Sequence, residues 1–378
     1  MSVYLDNAAT TCVCPEAAAA ALEMMTQNYG NPSSTHTMGR RAKAVLDTSR
    51  KVISGALGCQ PEELFFTSCG SESDNWAILS GAEAQKRIGR HIITSEVEHD
   101  AVRKSVDRLE KAGYTITRLA PQPNGSISPE SVVNALRPDT ALITLMLVNN
   151  ETGAVTDIAA IAREMKKRSS RALLHTDAVQ GFLKLPFRAD KLGADLISIS
   201  GHKIHAPKGI GALYIKKGLR LPPYICGGSQ ESGLRAGTEA MPQIAAFAEA
   251  VNVARPLLNT SIRHMEELRA FCAQRIRSEI PDAQILPFGA PHIMSLSLPG
   301  YKSEVLMNFL EAREIYVSKS SACKKGARSH VLEAIGLKND VIDGAIRLGF
   351  SRFTTMDEIN SFCTALKQAH DQLFTVLR

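Results

Sequence analysis

Between residues 62 and 215, short runs of apolar and β-branched residues alternate with stretches whose apolar positions recur every three or four residues. Seven runs of the first kind predict strands: Leu64–Thr67, 91–94, Thr115–Leu119, 141–147, 172–176, Leu196–Ser200 and Gly211–Ile215. Amphipathic stretches between them, such as 101–112 and 158–168, predict helices. This alternation predicts a mostly parallel, seven-stranded sheet that is covered by helices on both faces.

The pattern changes after about residue 255. Helical spacing predicts helices at Met241–Ala254 and 262–280, on either side of Pro256. Beyond residue 280 the predicted elements are strands at 294–298 and 316–318, with helices at 303–312, 340–345 and 357–377. We therefore expect residues 14–255 to form a large α/β domain, and residues 1–13 with 256–378 to form a smaller α+β domain.

Composition excludes several classes of protein. The net charge of +6 is spread over 378 residues, and aromatic residues make up only 5%, so no basic, aromatic-rich surface for nucleic acid is indicated. No apolar run reaches the ~20 residues that span a membrane, and the first residues do not resemble a signal peptide. Eight scattered cysteines are typical of reduced thiols, which predicts a cytoplasmic location.

One lysine has neighbours that point to chemistry. Lys203 follows the predicted strand Leu196–Ser200 within Ser-Gly-His-Lys, and Asp177 follows the predicted strand at 172–176. A pyridoxal phosphate (PLP) enzyme needs a lysine for the Schiff base and a carboxylate that keeps the pyridine nitrogen protonated. A lysine alone is more often a solvated surface residue, but the pairing with Asp177 favours a cofactor site.

Motifs along nearly the whole chain support this interpretation. The chain resembles the cysteine desulfurases of the class V aminotransferase family, which implies the PLP-dependent transferase fold type I and a homodimer with shared active sites. His36, Glu98, His99 and Arg347 contribute to the resemblance, together with ten segments: 4–11 (YLDNAATT), 30–34 (GNPSS), 67–75 (TSCGSESDN), 148–153 (VNNETG), 177–180 (DAVQ), 200–203 (SGHK), 207–209 (PKG), 235–239 (RAGTE), 321–323 (SAC) and 352–355 (RFTT).

The phosphate of PLP needs several donors. Gly70 and Ser71 stand where a strand turns into the helix predicted at 72–84, so backbone N–H groups and the helix dipole would hold the dianion. A helix capped by Ser71 would look the same in sequence. The resemblance adds Ser200 and His202 as phosphate ligands and implies that Thr238 reaches the phosphate of the partner subunit.

The resemblance also assigns the groups around the ring. It implies that His99 stacks on the ring and helps to move protons, and that Gln180 contacts the phenolic oxygen. Asn150 is expected near the same oxygen and the substrate, although an Asn-Asn pair such as Asn149-Asn150 also forms ordinary turns. Arg347, after the helix predicted at 340–345, would bind the substrate carboxylate with two parallel donors. Arg235 is a weaker candidate for that role.

Cys323 decides which reaction the resemblance implies. A desulfurase needs a thiolate that attacks the sulfur of L-cysteine, and Lys319, Lys324 and Lys325 would lower the pKa of the Cys323 thiol. By the same resemblance, Lys203 would first move the α-proton of the substrate, and the Cys323 thiolate would attack afterwards. The resemblance implies release of L-alanine and transfer of the persulfide sulfur to an acceptor protein, either an iron–sulfur scaffold or a tRNA-thiolation carrier.

Three alternatives stay open. The first is another class V enzyme, either a selenocysteine lyase or an aminotransferase for a small amino acid. The second is a PLP-bound scaffold with little turnover. The third is a metal or cluster site that uses Cys12, Cys14 and Cys323, although no second close cysteine pair stands at the spacing of a zinc site, so no metal is expected.

Overall fold

The computed structural model describes residues 2–286, 289–319 and 328–373. Cys323 therefore lies outside the described residues, as does the end of the helix predicted at 357–377. The strands are β1 (Val3–Tyr4), β2 (Leu64–Thr67), β3 (His91–Ser95), β4 (Thr115–Leu119), β5 (Thr140–Met146), β6 (Leu173–Asp177), β7 (Leu196–Ser200), β8 (Gly211–Ile215), β9 (Gln284–Ile285), β10 (Ile293–Ser297), β11 (Ile315–Tyr316), β12 (Ser318–Lys319) and β13 (Ala345–Gly349).

The α-helices surround these strands, and several begin at side chains that accept a backbone N–H, such as His99, Ser128 and Asp157. They are α1 (Pro15–Thr26), α2 (Thr37–Leu57), α3 (Gly70–Ala84), α4 (Asp100–Lys111), α5 (Pro129–Ala135), α6 (Ile158–Lys167), α7 (Ala189–Leu192), α8 (Met241–Ala254), α9 (Leu258–Glu279), α10 (Ser303–Glu311), α11 (His330–Ala334), α12 (Asn339–Asp343) and α13 (Met356–Gln372).

The predicted seven-stranded sheet is confirmed. Its strand order is β2-β8-β7-β6-β5-β3-β4, and β8 alone runs antiparallel to its two neighbours. Every residue of β3, β5, β6 and β7 is buried. Such continuous apolar runs arise because helices cover both faces of a parallel sheet.

The two faces of the sheet carry separate hydrophobic clusters. Ile93 and Ile143 belong to the larger cluster with helices α1, α2 and α8, whereas Ile92 and Leu142 belong to a cluster with α3 and α4. Because side chains alternate along a strand, consecutive residues of β3 and β5 point into different clusters. The sheet is thus held from both sides, and its strand ends form a fixed edge.

A second core contains the remaining strands. The sheet β12-β13-β10-β9 is antiparallel and packs with α9 and α13, while β1 pairs in parallel with β11. Val3 and Leu5 belong to this second core, so the first residues of the chain pack against its last helix. The smaller α+β unit is confirmed, and its exact division at residues 13/14 and 255/256 stays a prediction.

Several predicted elements were wrong in their bounds. The helix predicted at 340–345 ends at Asp343, and Ala345 begins β13, so Arg347 lies inside a strand. The strand predicted at 316–318 is two short strands that belong to different sheets. Residues of β13 are buried on both sides, and five buried residues carry no periodicity that separates a strand from a helix.

Candidate active site

The carboxyl ends of the parallel strands bring together the residues that the motifs single out. Asp177 is the last residue of β6 and Ser200 the last residue of β7, and these strands are hydrogen-bonded neighbours. Lys203 follows Ser200 in one turn of 3₁₀-helix. His99 follows β3 by a short loop and caps α4. Ligands of such sheets bind at this edge, so the strand order itself assembles the site.

The residues at the start of α3 form a cradle that fits a phosphate. A Cβ atom on Gly70 would lie 2.6 Å from Val179 Cγ2 and 3.5 Å from Ser200 Cβ, so only glycine allows three segments to meet there. The Ser200 hydroxyl is buried without a hydrogen-bond partner among the described residues. The helix N-terminus and this unpaired hydroxyl are donors of the kind that a phosphate dianion requires.

The alternative interpretation of Ser71 as a helix cap is wrong. Helix α3 begins at Gly70, with Cys69 at the capping position and no side-chain hydrogen bond there. Ser71 therefore lies within the first turn, where its side chain is exposed. The first N–H groups of a helix have no partner inside the helix, so they stay available to an anion.

Lys203 is held by backbone carbonyls. Its Nζ donates to the carbonyl oxygens of Ala8 (2.8 Å) and Ala9 (2.6 Å). Burial and the nearby Arg347 lower the pKa of Lys203 to about 8, although Asp177 acts in the opposite direction. An amine with a lowered pKa is more often neutral near pH 7, and the neutral amine is the nucleophile that forms a Schiff base.

Asp177 and His99 face the same space. Asp177 is buried, and its Oδ1 accepts the Val179 N–H at 2.9 Å. Burial raises the pKa of Asp177, whereas the charges of His99 and Lys203 lower it. The ring of His99 is exposed, and its Nδ1 accepts the Ala101 N–H at 3.1 Å. The Nε2 atom and the ring face thus remain open to a ligand.

Gln180 and His202 are tied to the N-terminal segment. Gln180 donates to the Ala8 carbonyl at 2.8 Å, and its Oε1 lies 3.3 Å from His292 Nε2. His202 Nδ1 lies 3.1 Å from Thr10 Oγ1, and burial lowers the pKa of His202 to about 4. The segment 8–10 therefore lies between the predicted cofactor residues and fixes their side chains.

Arg347 reaches the site from the small sheet. Its guanidinium donates from Nη1 to the Asn150 carbonyl (2.8 Å) and from Nη2 to Asp6 Oδ1 (2.9 Å). Nε has no partner among the described residues. A carboxylate already occupies one donor of this arginine, which demonstrates that its geometry accepts a carboxylate.

The two asparagines divide the expected roles. Asn149 is buried, and its Oδ1 accepts the N–H groups of Glu151 and Thr152, each at 2.9 Å. Asn149 thus forms the turn that any such pair could form. The Asn150 side chain makes none of these bonds, and its backbone carbonyl holds Arg347. Among the described residues, the Asn150 amide has no hydrogen-bond partner, so it is available to a ligand.

Two residues lie away from this group. Thr238 is exposed, and no described contact links it to the cradle at Gly70 and Ser200. Arg235 forms a two-point ion pair with Glu72, with Nε and Oε1 2.9 Å apart. Arg235 is thus occupied and is not brought to Arg347.

Sequence reasoning missed that Asp177 lies with two further buried acids beneath the site. We call these three residues the acidic cluster: Asp74, Glu98 and Asp177. Burial raises the pKa of Glu98 to about 8 and also raises the pKa of Asp74. Glu98 Oε1 accepts from Ser95 Oγ (2.5 Å) and from Met146 N (3.2 Å). Asp74 stands in the motif TSCGSESDN, which was the available signal.

Sequence reasoning also missed a group of cations behind Lys203. We call it the cationic cluster: Lys184, Lys203, Arg347 and Arg352. Lys184 is buried, and its pKa is lowered to about 7 by burial and by the three other members. Lys184 follows the motif 177–180 closely and Arg352 begins the motif 352–355, but their proximity to each other arises only through folding.

The described cysteines are all free. Cys12 is exposed and Cys14 is buried at the start of α1. In the part of the chain that the structure describes, no three His, Cys, Asp or Glu side chains are grouped as metal ligands would be. Cys323 lies outside the described residues, so its predicted role as the nucleophile stays a prediction.

Comparison with known proteins assigns the family. The class V aminotransferase model matches residues 3–362. This chain belongs to the class V aminotransferase family. A cysteine desulfurase of Trichormus azollae is 39% identical over 376 residues, which cover 98% of this chain and 93% of that protein. The resemblance that the motifs predict is thereby confirmed.

Solved structures of family members share the fold. A NifS-like protein superposes with a TM-score of 0.93 at 34% identity, over 99% of this chain and all of that chain. SspA in complex with cysteine has a TM-score of 0.79 at 31% identity, over 94% of this chain and all of that chain. The predicted fold type I is confirmed. Within the described residues, no helix has the length and apolar character needed to cross a membrane.

Proposed function

We propose that this member of the family is a PLP-dependent L-cysteine desulfurase. The observation that carries the proposal is the convergence of Lys203, Asp177 and Arg347 at one sheet edge. Asp177 ends β6, Lys203 follows the end of the adjacent strand β7, and Arg347 lies in the small sheet. Cysteine desulfurases with close to 40% identity over nearly the whole chain support the choice of reaction.

The residues present fit PLP. Gly70, Ser71, Ser200 and His202 would hold the phosphate, and Thr238 of a partner subunit would complete the pocket in a homodimer. His99 would lie against the ring, with Asp177 at its nitrogen and Gln180 and Asn150 near its oxygen. Held by these residues, PLP would supply an electron sink for the α-carbon of the amino acid that displaces Lys203 from it. The buried Ser200 hydroxyl without a partner supports this assignment.

The protein side chains then have distinct tasks. Arg347 orients the carboxylate of L-cysteine, and the Lys203 amine accepts and returns a proton at the α-carbon. His99 Nε2 is placed for proton transfer at the same face. Exposed Nε2 and a lowered lysine pKa both suit proton movement near pH 7.

Cys323 supplies the second nucleophile in this proposal. Its thiolate attacks the substrate sulfur, an S–S bond forms, and the C–S bond breaks with its electron pair left on carbon. The carbon is reduced and takes up a proton to give L-alanine, while the Cys323 sulfur is oxidised to a persulfide. The sulfur then passes to an acceptor protein, with an iron–sulfur scaffold and a tRNA-thiolation carrier both open. A cytoplasmic location stays a prediction.

The test compares Cys323→Ser with Cys226→Ser, which removes an exposed cysteine elsewhere in the chain. PLP-loaded protein receives L-cysteine and a reductant, and alanine and sulfide are measured together with the absorbance of the cofactor. We expect equal amounts of alanine and sulfide from the wild type and from Cys226→Ser. Cys323→Ser should retain the cofactor absorbance and lose about a hundredfold or more of both products.

Other outcomes would replace the proposal. Full sulfide production by Cys323→Ser would show that this thiol is not the nucleophile. A change in cofactor absorbance without alanine would favour an aminotransferase or a scaffold. Preference for selenocysteine in Cys323→Ser would favour a selenocysteine lyase.

A further inference from the structure

Lys184 is the most unusual charged residue outside the predicted machinery. Its side chain is 7% exposed, and its Nζ is buried with no acceptor among the described residues. A buried ammonium group without a partner is costly, so lysines in such positions are usually paired. Lys184 therefore requires either a neutral amine or a counter-charge.

A small cavity adjoins this side chain. Its volume is about 30 Å³, and it lies on the side of Lys203 that faces α9 and the end of β13. Among the residues that the structure describes, no carboxylate lines the cavity, and the polar lining side chains are basic or neutral. The lining residues with polar side chains are Lys184, Lys203, His205, Ser261, Ser351 and Arg352.

Arg352 supplies a second donor to the same cavity. Its Nη2 is buried and has no partner among the described residues. The rest of its guanidinium is engaged, because it lies over the Phe353 ring at 4.6 Å and contacts the Cys14 thiol. Glu16 adds a favourable but more distant charge. An arginine keeps its charge in proteins, so this group cannot become neutral by losing a proton.

His205 adds no charge to the cavity. Its Nδ1 lies 2.9 Å from the Cys12 carbonyl, and burial together with Arg352 lowers its pKa to about 3. Two residues with an unpaired donor, one of them permanently cationic, thus line a space that no described carboxylate borders. Two such donors around one small space are what a bound anion requires.

We propose that Lys184 and Arg352 hold one small monovalent anion, of the size of chloride, in this cavity. A cavity with about 30 Å³ of space for a water-sized sphere has room for a monatomic ion. The anion would offset the charge of the cationic cluster, keep Lys184 protonated and reduce the repulsion that Lys203 experiences. The site depends only on these residues, so it stands whether or not the proposed reaction is right.

The test uses the PLP-loaded protein in sodium chloride and in sodium gluconate at equal ionic strength, because gluconate has the same charge as chloride and is far larger. We expect Tm to rise with chloride and to saturate. Lys184→Met should weaken the apparent chloride affinity at least about tenfold, whereas Lys111→Met, a change of an exposed lysine on α4, should leave it intact.

Crystals of the wild type soaked in sodium bromide give a readout that needs no variant. Anomalous density within hydrogen-bond distance of Lys184 Nζ and Arg352 Nη2 is the expected result. Equal Tm in both salts, an unchanged chloride effect in Lys184→Met, or bromide at the surface alone as an adventitious ion only would each overturn the proposal. A neutral Lys184 amine would then explain why its buried Nζ has no partner among the described residues.

Discussion

The acidic cluster and the cationic cluster are both buried groups of like charge, on different sides of the same site. In the acidic cluster, burial raises the pKa of Asp74, Glu98 and Asp177, so protons can neutralise the carboxyls in place. In the cationic cluster a lysine can lose its proton, but Arg347 and Arg352 cannot. Their charge must be met by an acid from another segment, as Asp6 does for Arg347, or by a bound anion.

This difference identifies which charges serve function. Within the acidic cluster, only Asp177 has His99 and Lys203 beside it, and both oppose the rise in its pKa. Within the cationic cluster, Arg347 has the carboxylate of Asp6 at 2.9 Å. Asp177 and Arg347 thus lie against groups of opposite charge at the site, while burial favours the protonated forms of Glu98 and Asp74.

The largest expected effect separates two aspartates of the acidic cluster. Asp177→Asn removes the negative charge at the predicted ring nitrogen, so kcat/KM for L-cysteine should fall on the order of 10³-fold. Asp74→Asn changes a carboxyl whose raised pKa already favours the neutral form, so activity should stay within about tenfold. Alanine formation by PLP-loaded variants measures both.

Equal losses of activity in the two variants would contradict this distinction between Asp177 and Asp74, because Asp74 would then also act as a negative charge. The absorbance of bound PLP is the control, since a variant that merely loses the cofactor would lose that absorbance. If Asp177→Asn alone keeps the PLP absorbance and loses turnover, the charge of Asp177 serves the reaction and Asp74 does not contribute a charge to it.

The fold was largely predictable because the strands of the large sheet are buried on both faces. Residues such as Ile92 and Ile143 stand in uninterrupted apolar runs, which indicate a strand in any parallel arrangement. Arg347 was misplaced because its strand pairs with β10, a segment some fifty residues earlier, and nothing local records that pairing.

The site was predictable where residues directly follow strands. Asp177 and Lys203 stand next to strand ends, so their proximity follows from strand order. Lys184 and Arg352 are far apart in the chain, and their shared cavity depends on how the small unit packs against the large one. Glu98 was recognised only as the neighbour of His99, because burial of a carboxyl cannot be read from one sequence.

The next prediction concerns the stability of the acidic cluster. The pKa of Glu98 is about 8 in the folded protein against 4.5 ordinarily, so the folded state binds more protons between these values. The contribution of the Glu98 carboxyl to the free energy of unfolding is fully present below pH 4.5 and is lost as pH rises through 8. Glu98→Gln should therefore gain stability relative to wild type across this window, by at most about 1.4 kcal/mol per pH unit.

Urea unfolding at pH 5, 7 and 9 measures the difference. Glutamine keeps the Oε1 acceptor for Ser95 and Met146, so the hydrogen bonds of the native carboxyl are retained. A difference that does not vary with pH would mean that Glu98 is ionised in the folded protein.

The smallest expected effect has the opposite slope. The pKa of Lys184 is about 7 in the folded protein against 10.5 ordinarily. Its contribution to the free energy of unfolding is therefore present above pH 10.5 and is lost as pH falls through 7. In gluconate, Lys184→Met should be most stabilised relative to wild type at pH 7 and below, and the gain should shrink towards pH 10. In chloride the slope should flatten, because a bound anion favours the protonated lysine. Parallel slopes for Glu98→Gln and Lys184→Met would contradict the comparison, since one cluster gains protons on folding while the other loses them.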